Sequence, residues 1–438
     1  MKKNFTEGRI SYNIFSYTIS LIICNLIQQI YHTADMIIVG GAIGTEAFSA
    51  IGAVSPLIYF VNGIFSFISI GVSIKLSQAI GGDDTKKICL IGYASIVLTI
   101  FLGIILAIIA PNIVKIGMHF LQLDHEIWDY AEEYLNVIFR GAVLSLIYNT
   151  LFSILRAMGI SIIPICITVV SSFLNIFLDY YFIYNLNMGI TGAALSTLIA
   201  YFLVDIICFG FIIRYYHKEK ILSRKNLHLD WIIIREISAC GLPICLQNLV
   251  ISFTNVFIVS NINKFGGIYT TAYSVFARLD AFIILPMTAL GTAYSVFVGQ
   301  NYGKRLFGRI NNARKIITEW VSVYVLMVLL VTRLIVVPYI EKYFDENTFD
   351  ILNSMLVILP LYWFMGIYQI YLGEYKGIGN TLMASKIAIL NFAGLRLLWL
   401  LFIAIPRNSL VLIILSYAVG WIGGCTVFRI KHKAIENY

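Results

Sequence analysis

Two aspartates and two neutral polar side chains interrupt apolar stretches that are otherwise long enough to cross a membrane: Asp35, Asn175, Asp179 and Thr197. Asn175 and Asp179 are four residues apart, so on a helix they project from one face, one turn from each other. Asp179 lies nine residues before Met188, in the middle of a polar turn, and Thr197 lies nine residues after it. At about 1.5 Å of rise per residue, the two side chains are expected at the same depth.

These residue types suit the binding of a small cation. Carboxylate, amide and hydroxyl oxygens are ligands for a hard metal ion. If no metal ion binds, at least one of two neighbouring acids in a low dielectric would hold a proton and act as a proton carrier. A carboxylate inside a membrane costs about 3 kcal/mol on insertion scales, so it faces protein or a water-filled cavity. The pattern predicts a site for Na⁺ or H⁺ in the outer half of the bilayer; the alternative is that the acids only hydrogen-bond a neighbouring helix.

The composition determines the class of protein. With 59% hydrophobic and 12% charged residues over 438 positions, the chain is predicted to be a polytopic, all-α membrane protein. Twelve apolar runs are long enough to span, from residues 12–39 to residues 409–428. The seven cysteines form no CxxC pair, which argues against a zinc site or a disulfide framework. No cofactor is expected apart from the coupling ion.

The basic residues predict the orientation. The net charge of +8 is distributed over short loops, which is typical of a membrane protein and does not indicate a nucleic-acid partner. If the N-terminus is inside, most of the Lys and Arg residues fall in inner segments. Both termini are therefore expected in the cytoplasm, with the chain in the cell membrane.

The two halves of the sequence resemble each other. Shifted by 222 residues, Gly44 falls on Gly266, and the turns SQAIGGDD and GQNYGKR occupy equivalent places. A common offset for glycine-containing turns indicates duplication. The prediction is two six-helix lobes, residues 1–222 with the cation site and residues 223–438, related by a parallel repeat.

Five further side chains within the spans are candidates for lining a substrate cavity. A histidine near Asp35 could relay a proton, and tyrosine rings could attract a cationic ligand by cation–π interaction. The alternatives are core packing for the histidine, interfacial or packing roles for the tyrosines, and structural ion pairing for the arginine. These candidates are His32, Tyr148, Tyr180, Tyr273 and Arg278.

Several ordered blocks carry a family resemblance. They are ADMIIVGGAIGTEAFSAIGAVSP, SQAIGGDD, ILRAMGISIIP, NIFLDYYFIYNLNMGITGAALSTLIA, GLPICLQN, VGQNYGKRLFGR and YKGIGNT. Together they resemble the multidrug and toxic compound extrusion (MATE) family. The resemblance implies a twelve-helix antiporter that exports amphipathic, often cationic, organic compounds in exchange for Na⁺ or H⁺.

The resemblance also implies which residues couple ion to substrate. The motif positions of prokaryotic members match Asp35, Asn175, Asp179 and Thr197. Some branches carry further coupling acids on the seventh and tenth helices. The seventh helix here has Gln247, Asn248 and Asn255, and the tenth only Glu374. A second cation site in the C-terminal lobe is therefore not expected.

Other function classes fit less well. The GxxxGK spacing in VGQNYGKR is one residue short of a P-loop, and no loop could hold an ATPase domain. An intramembrane enzyme would show clustered acids or HExxH, and neither occurs in the sequence. Among transporters, the alternative is a lipid-linked oligosaccharide or polysaccharide flippase. Such a flippase is expected to line its cavity with Arg or Lys for pyrophosphate, and Arg140, Arg278 and Arg396 keep this alternative open. The prediction is a monomeric transporter, not an enzyme, whose partners are a small organic molecule and the lipid bilayer.

Overall fold

The computed structural model describes residues 5–121, 123, 125–160, 162–222 and 227–436. The described secondary structure is helical, as the composition predicts. The helices of the first half are α1 (Ile10–Ala42), α2 (Thr45–Phe65), α3 (Phe67–Gly81), α4 (Thr85–Leu121), α5 (His125–Arg140), α6 (Ala142–Ala157), α7 (Ile162–Tyr180) and α8 (Gly189–Lys218). Those of the second half are α9 (Trp231–Asn263), α10 (Gly267–Gly303), α11 (Phe307–Val331), α12 (Val337–Glu341), α13 (Glu346–Met355), α14 (Tyr362–Gly377), α15 (Thr381–Ala388), α16 (Arg396–Trp399) and α17 (Leu410–Glu436).

Short π-helical and 3₁₀ segments join some of these helices into continuous spans. The segments Tyr181–Asn185, Thr332–Val336, Ile389–Leu395 and Leu400–Ala404 are π-helical, and Leu356–Leu361 is a 3₁₀ turn. In the described part of the chain, eleven helices are long and apolar enough to cross a membrane. The bent pair α5 and α6 makes the twelfth span, so the predicted number of spans is confirmed.

The fourth span bends next to α8. The axes of α5 and α6 differ by 53°, and Gly141 lies between them. A Cβ at Gly141 would lie 2.3 Å from Leu198 Cδ1, so a larger residue there would require the Leu198 side chain to move. Leu198 adjoins the predicted Thr197 on α8.

The chain divides into two compact units. The first comprises Ile19–Cys245, and the second comprises Phe5–Thr18 with Leu246–Tyr438; they are called the first and second lobes below. The beginning of α1 thus belongs to the second lobe. The predicted boundary after residue 222 adjoins residues 223–226, which lie outside the described residues, and it stays a prediction.

The backbone confirms the internal repeat. Left-handed residues, which favour glycine, Asn and Asp, occur at equivalent positions of the two halves. Their offsets are 220 to 222 residues, in agreement with the offset that the sequence predicts. The pairs are Gly44 and Gly266, Asp83 and Arg305, Gly159 and Gly379, and Asn187 and Asn408.

In the first lobe, α3 and the beginning of α9 touch backbone to backbone. A Cβ at Gly241 would lie 1.8 Å from the Phe67 carbonyl oxygen, and one at Gly71 would lie 2.1 Å from the Ile237 carbonyl oxygen. Small residues allow such approaches between membrane helices, where van der Waals packing takes over from the hydrophobic effect. Glu236 beside this contact pairs with Lys87 at 3.0 Å and with Lys75 at 3.7 Å.

In the second lobe, the segment before α1 is held by α10 and α11. The Arg309 guanidinium donates to the carbonyl oxygens of Phe5, Glu7 and Gly8, each at 3.2 Å. The Phe5 amide donates to Gln300 Oε1 at 3.2 Å, and the Phe5 ring is fully buried. These contacts explain why residues 5–18 belong to the second lobe.

Candidate cation site

Three helices of the first lobe bring the predicted polar residues to one level. Asp35 lies seven residues before the end of α1, Asp179 lies six residues before the end of the π-turn that follows α7, and Thr197 lies eight residues after the start of α8. These distances correspond to roughly 9–12 Å of helix rise. Counted from these helix ends, the two acids and Thr197 therefore lie at similar distances along their helices.

Hydrogen bonds join α7 to α8 at this level. The Asn175 amide nitrogen donates to Thr197 Oγ1 at 3.3 Å and to Ser196 Oγ at 3.4 Å. The Ser196 hydroxyl in turn donates to Asp179 Oδ1. The Asn175 amide nitrogen faces these two hydroxyl groups, so the amide oxygen faces away from them. This orientation of the amide is assigned from the hydrogen-bond network.

Three buried oxygens at the site have no hydrogen-bond donor among the described residues. They are Asp35 Oδ1, Asn175 Oδ1 and Asp179 Oδ2. The three side chains are 5%, 2% and 0% exposed, and the two carboxyl groups are close enough to interact electrostatically. Buried polar atoms are almost always satisfied in folded proteins. Each of these atoms can accept a hydrogen bond or coordinate a cation.

A cavity of about 210 Å³ within the first lobe reaches this site. Asp35 and Thr197 are on its wall, and the rest of the lining is mainly aromatic and aliphatic with three small polar side chains. The remaining lining residues are Tyr31, Met36, Ile51, Ser55, Ile58, Tyr59, Asn62, Tyr134, Ile138, Ser145, Leu198 and Tyr201. An apolar, aromatic cavity with one acidic wall can hold an amphipathic organic cation.

The other sequence-predicted candidates do not converge on this cavity. Tyr148 is buried next to it, where its ring lies 4.9 Å from that of Tyr201 and its hydroxyl accepts from Gln28 at 3.0 Å. Tyr180 is 57% exposed and stacks on Tyr184. The side chain of His32 lies outside the described residues. The role of these three side chains stays a prediction.

Tyr273 and Arg278 belong to α10 of the second lobe. The Tyr273 hydroxyl lies 3.1 Å from that of Tyr417, and Arg278 is exposed. Neither residue lines the cavity of the first lobe.

Sequence reasoning missed four buried or half-buried residues of the site. Ser196 links Asn175 and Asp179, and three of the four tyrosines that line the cavity are not exposed. Two tyrosines had a detectable signal, since Tyr31 precedes Asp35 by four residues and Tyr201 follows Thr197 by four, the spacing of one helix face. Ser196 and Tyr134 had no signal of this kind, because their contacts depend on how helices from distant parts of the sequence pack. The missed residues are Tyr31, Tyr134, Ser196 and Tyr201.

The second lobe contains a different polar cluster. Arg396 is only 1% exposed; its Nη1 donates to Asn255 Oδ1 at 2.9 Å, and its guanidinium carbon lies 3.9 Å from the centre of the Tyr417 ring. Asp280 interacts electrostatically with Arg396 and accepts a hydrogen bond from the Tyr362 hydroxyl. This lobe thus supplies its own buried cation.

Glu374, the acid predicted on the tenth span, is also partnered. Its carboxylate accepts from Tyr294 at 3.0 Å and lies 3.3 Å from Arg314 and 2.7 Å from His432 Nε2. The contacts join α10, α11, α14 and α17 within the second lobe. Such a satisfied network stabilises the packing of four helices.

The chain is similar to known membrane proteins over most of its length. The MatE family model matches residues 20–181 and 243–401. The probable multidrug resistance protein NorM of Thermotoga maritima is 26% identical over 388 residues, covering 85% of this chain and 81% of that protein. The probable multidrug resistance protein YoeA of Bacillus subtilis is 22% identical over 387 residues, covering 86% and 83%.

Solved structures share the fold. A MOP superfamily transporter from Pyrococcus furiosus, whose binding pocket is described as having reverse polarity, superposes with a TM-score of 0.86 at 22% identity and covers 99% of this chain and 98% of that one. A MATE transporter in its straight conformation gives a TM-score of 0.87 at 22% identity, covering 99% of both chains.

Proposed function

Because the chain belongs to the multidrug and toxic compound extrusion family, we propose that it exports amphipathic organic cations across the cell membrane in exchange for a small inorganic cation bound at Asp35 and Asp179. The chain is a multi-pass membrane transporter with no catalytic role. The proposal concerns the coupling ion, the exported compound and the link between them.

The observation that carries the proposal is the set of three unpartnered acceptor oxygens at Asp35, Asn175 and Asp179. Leaving each of them unsatisfied would cost about 1–3 kcal/mol. A proton shared by the two carboxyl groups would satisfy two of these oxygens but not the amide oxygen. A metal cation can be coordinated by all three, with Thr197 Oγ1 as a further ligand, and all of these are hard oxygen donors. The donor set therefore favours Na⁺ over H⁺ as the coupling ion.

The cavity supports an organic cation as the exported compound. Asp35 supplies a negative charge on its wall, and Tyr31, Tyr134 and Tyr201 supply faces that attract a cation. A flippase for pyrophosphate-linked glycans would need basic side chains there, and the lining contains no Lys or Arg among the described residues. Arg140 and Arg278, which kept that alternative open, are exposed, and Arg396 is buried in the second lobe.

Asp35 provides the link between ion and substrate. Its side chain belongs both to the unpartnered oxygen set and to the cavity wall. A metal ion bound at Asp35 neutralises the charge that would attract an organic cation, so the two ligands weaken each other's binding by the same factor. If the cavity opens to the outside when the ion enters and to the cytoplasm when it leaves, the ion gradient drives export. The basic inner loops support cytoplasmic termini and hence this direction.

Transport by the purified chain in liposomes tests the proposal. Ethidium flux is measured under an imposed Na⁺ gradient, and separately under an imposed pH gradient without Na⁺. The wild type is expected to respond to the Na⁺ gradient, and Asp35→Asn combined with Asp179→Asn to lose that response. Asp129→Asn is the matched control, because it makes the same change at an exposed acid of α5. Wild-type, gradient-dependent flux by the double variant would refute the site assignment.

A further inference from the structure

A third aspartate of the first lobe lies deep within α8. Asp205 is 16 residues from the start of this helix and 13 residues from its end, or roughly 24 Å and 20 Å along the axis. It is 7% exposed. Its neighbours Val204 and Cys208 are 1% and 0% exposed and belong to an apolar core cluster of the lobe.

Neither carboxylate oxygen of Asp205 has a hydrogen-bond partner among the described residues. Asp280 and Glu374 in the second lobe, by contrast, accept hydrogen bonds from tyrosines. Placing an ionised carboxylate in an apolar environment without a partner costs several kcal/mol even after relaxation. The Asp205 carboxyl group must therefore be neutralised by something that it binds.

Asp205 lies on the helix face that leads to the cation site. Thr197, Tyr201 and Asp205 follow each other at four-residue intervals, so they form one stripe along α8. Thr197 and Tyr201 are both on the cavity wall. The Tyr201 hydroxyl lies 3.5 Å from that of Tyr31. Along this stripe of α8, Asp205 is the next polar residue after Tyr201, about 12 Å along the helix from Thr197.

The surroundings of Asp205 favour a proton over a metal ion. A metal cation needs several oxygen ligands, and the unpartnered oxygens of Asn175 and Asp179 belong to the level of Thr197, about two helix turns away. A proton needs only one carboxylate oxygen. It forms one O–H bond on uptake from water, and that bond breaks on release to water.

We propose that Asp205 is a proton-binding site of the transport cycle, distinct from the cation site at Asp35 and Asp179. It equilibrates with water when the cavity extends along the stripe, and the cycle proceeds through its protonated form without requiring release of that proton. The transport rate then depends on pH through Asp205, whichever ion occupies the outer site. The role of Asp205 in transport rests on the proposed function, whereas its protonation does not.

Few other titratable groups are near Asp205. On its own helix, Tyr201 and Cys208 interact with it electrostatically. The helices packed against α8 are α5, α6 and α7, and residues of α1 and α4 also contact it. The buried or half-buried titratable side chains of these helices near α8 are Tyr31 and Asp35 on α1, Cys89 on α4, Tyr134 on α5, Tyr148 on α6 and Asp179 on α7, and Arg156 lies at the end of α6.

Infrared spectroscopy of the reconstituted protein tests the protonation directly. A protonated carboxyl group in an apolar site gives a carbonyl band separate from those of carboxylates and amides. The wild type is expected to show this band at neutral pH, Asp205→Asn to lose it, and Asp205→Glu to retain it at a shifted position. Asp35→Asn combined with Asp179→Asn is expected to keep it. An unchanged band in Asp205→Asn would overturn the proposal.

The pH profile of Na⁺-driven ethidium flux tests the role in transport. If the protonated form is needed, wild-type flux falls about tenfold per pH unit on the alkaline side of a single titration. In Asp205→Asn, which mimics the protonated acid, that decline is expected to disappear, and in Asp205→Glu to return at a shifted pH. A wild-type profile in Asp205→Asn would contradict the proposal. A separate result tests the proposed function, which fails if Asp35→Asn combined with Asp179→Asn still couples flux to Na⁺.

Discussion

Equivalent spans of the two lobes carry opposite kinds of polar group. The repeat offset of 220 to 222 residues places the spans of Asp35, Asn175 and Thr197 in the first lobe on the spans of Asn255, Arg396 and Tyr417 in the second. In the first lobe these spans surround carboxylate and amide oxygens without a donor. In the second they surround a guanidinium that bonds Asn255 and covers the Tyr417 ring.

This difference indicates how a duplicated fold can confine ion coupling to one half. A mobile cation can enter and leave a set of free oxygens, whereas a guanidinium on Arg396 is always charged and cannot leave. Asp280 next to it accepts from Tyr362 and interacts with the guanidinium. On the proposed function, the second lobe therefore has a permanent cation where the first binds an exchangeable one.

The largest effect is expected from removing the acids of the first lobe. Asp35→Asn combined with Asp179→Asn leaves amide groups that cannot balance a metal charge, so Na⁺-driven flux should fall to the background of empty liposomes. Asp280→Asn, the matched change in the second lobe, should preserve the dependence of flux on Na⁺. Flux in liposomes measures both. Equal loss of Na⁺ dependence in the two variants would remove the distinction between the lobes.

The next effect is expected at the permanent cation. Arg396→Met keeps an unbranched apolar stem but leaves Asp280 without its positive neighbour, which should lower the free energy of unfolding by on the order of 3 kcal/mol. A new stabilisation by Na⁺ or by acid should accompany the loss, because Asp280 then needs a partner. Thermal unfolding in detergent, compared between Na⁺ and a large organic cation, measures this stabilisation.

Arg396→Lys is the control for that variant. It preserves the charge and should show no new cation dependence, although it loses the planar contact with Tyr417. If Arg396→Met and Arg396→Lys respond to Na⁺ alike, Arg396 does not take the place of an ion.

A smaller effect is expected from Ser196→Ala. The hydroxyl donates to Asp179 and so stabilises its charged form. Removing it should cost about 1.4 kcal/mol and weaken Na⁺ binding about tenfold. The concentration of Na⁺ that gives half-maximal flux measures this change. Ser145→Ala is the control, since Ser145 lines the cavity but donates to the Ala142 carbonyl; a similar shift there would mean that any lost cavity hydroxyl has this effect.

The smallest effect is expected from Tyr201→Phe. It removes a hydroxyl that lies 3.5 Å from Tyr31 but keeps the aromatic face on the cavity wall. Ethidium affinity should change less than about threefold, while Tyr201→Ala should lose about 0.5–2 kcal/mol of cation–π attraction, roughly two- to thirtyfold. Fluorescence titration of the purified protein measures both affinities. Equal affinities in the two variants would exclude the ring from the binding surface.

The sequence predicts the class, the number of spans and the repeat because these follow from local patterns. Apolar length marks each span, and turns with left-handed residues such as Gly44 and Gly266 recur at one offset. The level of Asp35, Asp179 and Thr197 also follows from counting residues along helices. Each of these inferences requires only the geometry of a single helix.

The remaining features depend on contacts between helices. The bond from Ser196 to Asp179 and the position of Tyr134 on the cavity wall arise from packing of distant segments. The contact of Gly141 with Leu198 beside the bend of the fourth span also joins residues distant in the sequence. Pattern analysis of one span cannot identify such partners, which explains why the sequence does not show that Arg396 contacts Asn255 and Tyr417 in a buried cluster.

Calorimetric titration of Na⁺ into the purified protein tests the central claim most directly. The account predicts one Na⁺ bound per chain in the wild type and in Asp280→Asn, and no binding in Asp35→Asn combined with Asp179→Asn. Two ions per chain in the wild type, or binding that survives in the double variant, would contradict it.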